Sequence, residues 1–439
     1  MTSHRKLKQL IRARSQRTGE TYTTARRHVL AQVSAASRLP AAIIAGYPAF
    51  GPNEHHESGL LAHVLQAHGF RAPHTSQPYT EAMLAGLGGG IGFMYAVFEY
   101  KNMPPLMTIV AQHHPDPWVQ AVLGRLEIDH RVDHSGKSDP AIAKMRKALD
   151  AGRPVLVALD RSRLPWHGMQ PGHGTDPYTV VVAGQSDDLL LIDDEGPVPH
   201  EMGVGAFADA WAAYRKGRHQ AITIEGGGQT DDLPAAIRAA IATTVAHLTG
   251  PVLGHSFDTN FGFSGMRKLA AQLRDQAGKT GWARRFGQPV AFFHGVRRLY
   301  DCLEIEYTAP SATRSIYADF LVEAAPLVDP RLNSAADLIR ASGRLWSRLA
   351  TLAQESVEQL GPLTDLAEER LALMFSRGPS AAAEIRELGV RLDALAAEYE
   401  ASDPLGEQGR RDLFAAMAEI VDECVASETA AVDLLREVV

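Results

Sequence analysis

The strongest constraint on this chain is a change of pattern at Gly226-Gly-Gly-Gln-Thr-Asp-Asp232. Before it, short apolar runs alternate with helical stretches. After it, almost every segment repeats its apolar residues at helical spacing. Residues 233–249, 264–278, 286–302, 313–325, 333–359, 362–376, 379–400 and 407–438 read as amphipathic helices, punctuated near the end by Gly361-Pro362, Gly378-Pro379 and Ser402-Asp-Pro404. A length of 439 residues accommodates two or three domains. The pattern predicts a basic helical arm over residues 1–40, an α+β domain over 41–228 and an all-α domain over 229–439.

Charge and cysteine content narrow the function classes. The net charge of −7 argues against a surface built for nucleic acid. The arm is the exception, with eight Lys and Arg residues before residue 30 against Glu20 alone. A solvated appendage is its simpler reading, and contact with an acidic carrier protein or RNA the alternative. Cys302 and Cys424 are the only two cysteines, too few for a disulfide framework or a cysteine zinc site, so a reducing, cytoplasmic setting is expected. The N-terminus lacks the apolar segment of a signal peptide, and no apolar run approaches a membrane span. Alanine-rich faces at 379–400 and 407–438 could pair within the chain or between chains, and a homodimer is the expectation.

Within the α+β part, residues 41–46, 91–100, 106–112, 154–159, 178–184, 189–193 and 219–224 read as strands. Residues 57–69, 79–87, 118–126, 140–151 and 207–216 read as helices. The stretch Gly51-Pro-Asn-Glu-His-His-Glu-Ser58 breaks from a loop into the first of these. A helix start offers free backbone N–H groups and partial positive charge, the setting an acyl-transfer enzyme needs for a nucleophile and an oxyanion site. Here it holds His55, His56, Glu57 and Ser58, and no cysteine. The dipole disfavours a protonated imidazole, so a neutral His56 is expected, able to take a proton from an attacking amine. Ser58 is an alternative nucleophile, although its place one step into the helix suits capping or packing. Glycines in Gly86-Leu-Gly-Gly-Gly-Ile-Gly-Phe93 permit close backbone approach. They match neither a phosphate loop nor a dinucleotide fingerprint, and a packing turn is the plainer reading.

Taken together, Glu57-Ser58, the glycine run through Tyr95, and Tyr178-Thr-Val-Val-Val-Ala-Gly184 with Ile192-Asp193 resemble the N-terminal domain of the butirosin biosynthesis protein H family. Asn260-Phe-Gly-Phe-Ser-Gly265 and Arg314-Ser-Ile-Tyr-Ala-Asp-Phe-Leu321 are similar to the helical domain of unknown function that often follows it. The resemblance implies a papain-like α+β fold followed by an all-α domain. It also implies acyl transfer from a carrier-protein thioester to an amine in natural-product biosynthesis. The family's cysteine would fall on His56 or, with a one-residue slip, on His55; its histidine on Tyr178; its acidic residue on Asp193. Two of three catalytic positions therefore depart from the family pattern.

The catalytic candidates are His56, His55, Glu57, Tyr178 and Asp193. Gly88, Gly89, Gly90, Phe93, Ser58, Trp166 and His167 are candidates for lining the substrate site. The partner expected is an acyl carrier protein or a peptide or amine substrate, and no cofactor. Two alternatives stand beside acyl transfer. One is a divalent metal ion held by His55, His56 and Glu57 with His173 or Asp193, ligand types without a recognised metal spacing. The other is a pseudoenzyme that binds a carrier protein, peptide or small molecule in the old cleft.

Overall fold

The computed structural model describes residues 42–439 except 49, 52, 102, 170–176, 307, 358–359 and 401. The expected basic arm and His173 lie outside the described residues. The remainder is a mixed α/β region followed by a helical region. Among the described residues, no helix is long and apolar enough to cross a membrane.

The α/β region opens with α1 (His56–Ala67) and α2 (Glu81–Leu87), then the hairpin β1 (Ile91–Phe98) and β2 (Leu106–Gln112). Next come α3 (Trp118–Arg125), β3 (Asp129–Asp133), α4 (Ser138–Asp150), β4 (Val155–Asp160), β5 (Pro177–Ser186), β6 (Leu189–Asp193), β7 (His200–Gly203), α5 (Val204–Ala213) and β8 (Ala221–Gly226). Six strands form one sheet in the order β3-β8-β4-β5-β6-β7, all neighbours antiparallel. Alternate residues of a strand face opposite sides, and the sheet uses both. Leu156, Val181, Ala183, Ile222 and Ile224 join the core beneath α1, whereas Val155, Val157, Leu159, Val180, Val182, Leu190 and Ile192 pack on α4 and α5. The strand expected over 41–46 shrinks to a single bridge, Ile43 to Gly184. Gly184 follows an irregularity in the β5–β6 ladder, and a Cβ there would lie 2.2 Å from the Ala42 carbonyl oxygen.

The helical region comprises α6 (Leu233–Thr249), α7 (Gly262–Arg274), α8 (Trp282–Arg285), α9 (Pro289–Glu304), α10 (Arg314–Ala324), α11 (Leu332–Glu355), α12 (Leu360–Arg377), α13 (Ala382–Tyr399) and α14 (Gly406–Arg436). The glycine-rich stretch at 226–232 leads into it without separating two cores. Gln229 Nε2 donates to the Arg71 carbonyl, and the Thr230 N–H to that of Leu126. One continuous apolar core runs from Tyr47 through α1, α2 and the β1–β2 hairpin to Leu435 in α14. Met374, Phe375 and Ile385 of the helical region also close the second face of the sheet.

The centre of the helical region holds a fully buried ion pair. Arg314 grips Glu428 with two hydrogen bonds of 2.8 and 2.9 Å, and donates to the carbonyls of Ala111 in β2 and Ala312. Ser342 and Trp346 of α11 also donate to Glu428. Three successive non-glycine residues, Ser311, Ala312 and Thr313, adopt left-handed φ of 63°, 54° and 68° to deliver Arg314. Such a conformation costs roughly 1–3 kcal/mol per residue. Here the Ser311 N–H donates to Glu304 and the Ala312 N–H to the Leu303 carbonyl.

The glycine run belongs to this packing, which corrects its expected role in lining a substrate site. Gly88, Gly89 and Gly90 are buried beneath neighbouring side chains. An added Cβ would meet Trp118 at Gly88, His113 at Gly89 and Tyr317 of α10 at Gly90, all under 3.0 Å. Thr244 of α6 holds the Gly89 carbonyl at 2.6 Å. Phe93 is buried and stacks on Trp346 at 5.3 Å, so it too is a core residue.

Two outcomes follow for stability. Removing one member of a buried, hydrogen-bonded ion pair leaves an uncompensated charge, so Glu428→Ala should lose about 3–5 kcal/mol in urea unfolding. Gly89→Val combines a φ of 107° with a contact of 2.7 Å. It should lower Tm sharply, by overpacking and backbone strain of about 1–3 kcal/mol each, whether or not ligand is present.

Candidate active site

The start of α1 meets the first residues of β5. His56 Nε2 lies 2.6 Å from the Thr179 carbonyl oxygen, and Thr179 Oγ1 donates to Glu57 at 3.2 Å. The His56 ring stacks on Tyr178 with centroids 4.5 Å apart. His56 and Glu57, expected at the site, are thus joined to Tyr178, whose hydroxyl donates to Asp194 Oδ1 at 2.7 Å. Burial first, then Asp194 and Glu195, hold the Tyr178 phenol well above its usual pKa, so it stays protonated.

His56 is charged, which corrects the expectation of a neutral base. A carbonyl oxygen only accepts, so Nε2 carries a proton. Nδ1 lies 3.2 Å from Glu195 Oε1, close enough for an ion pair but not aligned as a hydrogen bond. Burial is the largest single influence and pushes the pKa down; Glu195, Asp194 and the Thr179 carbonyl together outweigh it and raise the pKa to about 9. A rise of that size corresponds to roughly 3 kcal/mol, against at most about 1 kcal/mol for a helix dipole at an exposed terminus.

His55 and Ser58 point elsewhere. The His55 ring is buried, with Nε2 2.9 Å from Gln112 Oε1, Nδ1 on Ser58 Oγ, and its edge to Trp118. Ser58 is wholly buried. These contacts make His55 and Ser58 anchors of the helix start rather than catalytic or substrate-lining groups. Divergent contacts of the two rings also undercut the metal alternative. Among the described residues no group of three or more His, Cys, Asp or Glu is arranged to hold a metal ion.

Asp193 and Asp194 exchange roles relative to expectation. Asp193, the last residue of β6, turns under α1, where it accepts from Tyr47 at 2.7 Å and meets His63 Nδ1 at 2.6 Å. Asp194 faces the other way and meets Trp166 Nε1 at 2.7 Å, His167 Nε2 at 2.8 Å and Tyr178. Burial pushes the Asp194 carboxyl up, but His167, His56 and His200 hold it well below the usual range. An ionised Asp194 accepts from His167 Nε2, leaving Nδ1 as the ring's free lone pair. His167 makes no other hydrogen bond among the described residues. Burial, with Arg161 and Arg370, outweighs Asp194 and lowers its pKa, so the imidazole is neutral. Its ring stands edge-on to Tyr178 at 5.0 Å. His167 and Trp166, expected only to line the site, therefore flank its carboxylate.

The helix start is also partly occupied by the chain itself. Glu81 Oε2 accepts from the backbone N–H groups of Glu54 at 2.8 Å and His55 at 3.0 Å. Sequence reasoning missed Glu81, Asp194 and Glu195. The acidic run Asp193-Asp194-Glu195 closing a strand was the available signal for the last two.

Together these features define a two-part protein, an antiparallel-sheet region with a His–Asp dyad beside a helix start, fused to a helical region. Residues 55–195 match the family model of the N-terminal domain of butirosin biosynthesis protein H, and residues 207–377 match a domain of unknown function. The two matches follow one another along the chain, a butirosin-H-type N-terminal domain first and the domain of unknown function after it. No curated protein matches it.

Two groups of histidines give opposite pH dependence. His56 has a raised pKa, so its stabilising contribution is complete below about pH 6.5 and disappears as pH rises through about 9. His247 packs on His113 beside the glycine run at 4.8 Å, and burial lowers its pKa to about 4. Its neutral form is the stabilising one, so that contribution is complete above about pH 6.5 and is lost as pH falls through about 4. Thermal melts across pH should show His56→Gln flattening the alkaline limb only and His247→Gln the acidic limb only.

Proposed function

We propose that this chain is an acyl-transfer enzyme of natural-product biosynthesis that moves an acyl group from a carrier-protein thioester to an amine without a cysteine nucleophile. The observation that carries the reading is the His167–Asp194 dyad: a neutral imidazole with an unengaged Nδ1, oriented by a buried carboxylate, inside a butirosin-H-type domain. A papain-like arrangement is part of this reading, and the helix start that faces the beginning of β5 and the residues just after β6 supports it. The base stands on the loop before β5 instead of on the strand.

In this reading His167 Nδ1 takes the proton of the attacking amine as the new C–N bond forms at the thioester carbon. The tetrahedral intermediate then expels the pantetheine sulfur, which recovers that proton as a thiol. Positive charge at His56, one ring stack away, favours the anionic intermediate. Asp194 keeps His167 in the tautomer with Nε2–H and Nδ1 free.

Neither cysteine suits a thioester intermediate. Burial pushes the Cys302 thiol up to about 11 and holds Cys424 well above its ordinary value. Both are buried in the core. A second reading, a domain that binds an acylated carrier without turnover, is favoured by one observation: Glu81 already fills the Glu54 and His55 N–H groups.

The test is amide formation from a panel of acyl-carrier thioesters and amines, followed by mass spectrometry. His167→Ala should lose about 100-fold or more of the rate, while the Cys302→Ser, Cys424→Ser double variant and alkylated wild type keep theirs. An acyl group trapped on Cys302, or full activity in His167→Ala, would overturn the mechanism. Saturable carrier binding with no product in any pairing would establish the binding domain instead.

A further inference from the structure

Four arginines converge next to the dyad from three separate elements. Arg161 follows β4, Arg297 and Arg298 lie on α9, and Arg370 lies on α12. The Arg161 guanidinium sits over the Tyr178 ring, 5.3 Å from its centroid, on the residue that stacks on His56. Arg161 reaches Glu306 at 3.5 Å, and Arg298 binds the other oxygen of the same carboxylate at 2.5 Å. Arg298 is further committed to the Met107 carbonyl and to Cys302 Sγ. Arg297 has only a loose contact with Asp301, at 3.9 Å. Arg370 makes no hydrogen bond or ion pair among the described residues. Among the described residues, the strongest charges acting on it are two guanidiniums, Arg161 and Arg297, ahead of two carboxylates, Asp301 and Glu306. Arg370 and Arg161 both act on His167.

A half-buried guanidinium among other guanidiniums pays desolvation and repulsion without a compensating partner. Arginine's planar fork is suited to two-point recognition of carboxylate and phosphate. Other buried or half-buried arginines of this chain meet acceptors: Arg314 has Glu428, Arg410 has Asp403, and Arg125 has the Leu87 carbonyl and Thr243.

We infer that Arg161, Arg297, Arg298 and Arg370 form an anion subsite beside the His167–Asp194 dyad, which takes a carboxylate or phosphate carried by the substrate close to its reacting carbonyl. Arg298 and Glu306 form its fixed floor. Arg297 and Arg370 supply the unspent donors, and Arg161 links the subsite to Tyr178. The subsite deepens the acyl-transfer reading by giving the charge of the group next to the reacting centre, and it rests on that reading for the identity of the ligand as substrate.

The test is calorimetric titration of the full chain with inorganic phosphate and, separately, with succinate, at low ionic strength. One of the two should bind saturably, and which one does tells phosphate from carboxylate. Arg370→Met and Arg297→Met should each weaken that binding about ten-fold, the size expected for a lost charge-assisted hydrogen bond. Exposed Arg163 is the control, and Arg163→Met should bind as wild type does. Without anion, Arg370→Met should melt no lower than wild type, since it removes an unmatched charge. His167→Ala should bind the anion normally, so failure of the catalytic reading and failure of the subsite are told apart. The inference is overturned if neither anion binds saturably, if both Met variants bind like wild type, if Arg163→Met weakens binding equally, or if anion-free Arg370→Met melts well below wild type.

Discussion

The contact between Arg314 and Glu428 sets the frame for everything around it. Two charges with no solvent exposure are tolerable only when nearly every donor and acceptor is used, and here they are. Arg314 spends its guanidinium on Glu428, Ala111 and Ala312, while Glu428 also takes Ser342 and Trp346. The effect reaches the candidate site along a short path. Ala111 in β2 is followed by Gln112, whose side chain meets His55 Nε2, and His55 immediately precedes the first residue of α1. A pair buried among the helices is thus connected through β2 to the start of α1.

Two histidines that both contact the Tyr178 ring are driven to opposite protonation states. His56 lies between the Thr179 carbonyl and Glu195 and is held charged. His167 has one carboxylate partner, yet burial and two arginines keep it neutral. Divergent pKa values in one cluster separate a fixed positive charge from a proton acceptor. The assignment follows from which neighbours each ring meets, since the rings are chemically the same.

Much of the fold was legible because it rests on local periodicity. The segment 233–249 is a helix over the expected residues, and the 106–112 and 189–193 strands fall where alternation and β-branched residues put them. The site was legible only in outline. His56 stacks on Tyr178 and Glu57 accepts from the next residue, Thr179, because the helix start and the hairpin are both visible as patterns. Asp193 and Asp194 are neighbours in sequence but face opposite ways, so a one-residue choice decided between the contacts with His167 and Tyr178 and the underside of α1. The ionisation of His56 depends on Glu195, which is 139 positions away. From sequence the glycine run allows both a packing turn and a backbone approach to a ligand, and the Tyr317 and Trp118 rings placed against it decide for packing. No local pattern pairs Arg314 with Glu428, which are 114 residues apart.

The continuous core also bears on how such chains can diversify by recombination. The glycine-rich stretch at 226–232 has the composition of a junction where coding segments could be exchanged. A crossover there would take Gly86 and Gly90 from one parent and the Phe320 and Tyr317 rings that press on them from the other. Shapes on the two sides must already be matched for such a hybrid to close. The two halves are therefore expected to be inherited as a pair, with substitutions at this seam arising in concert.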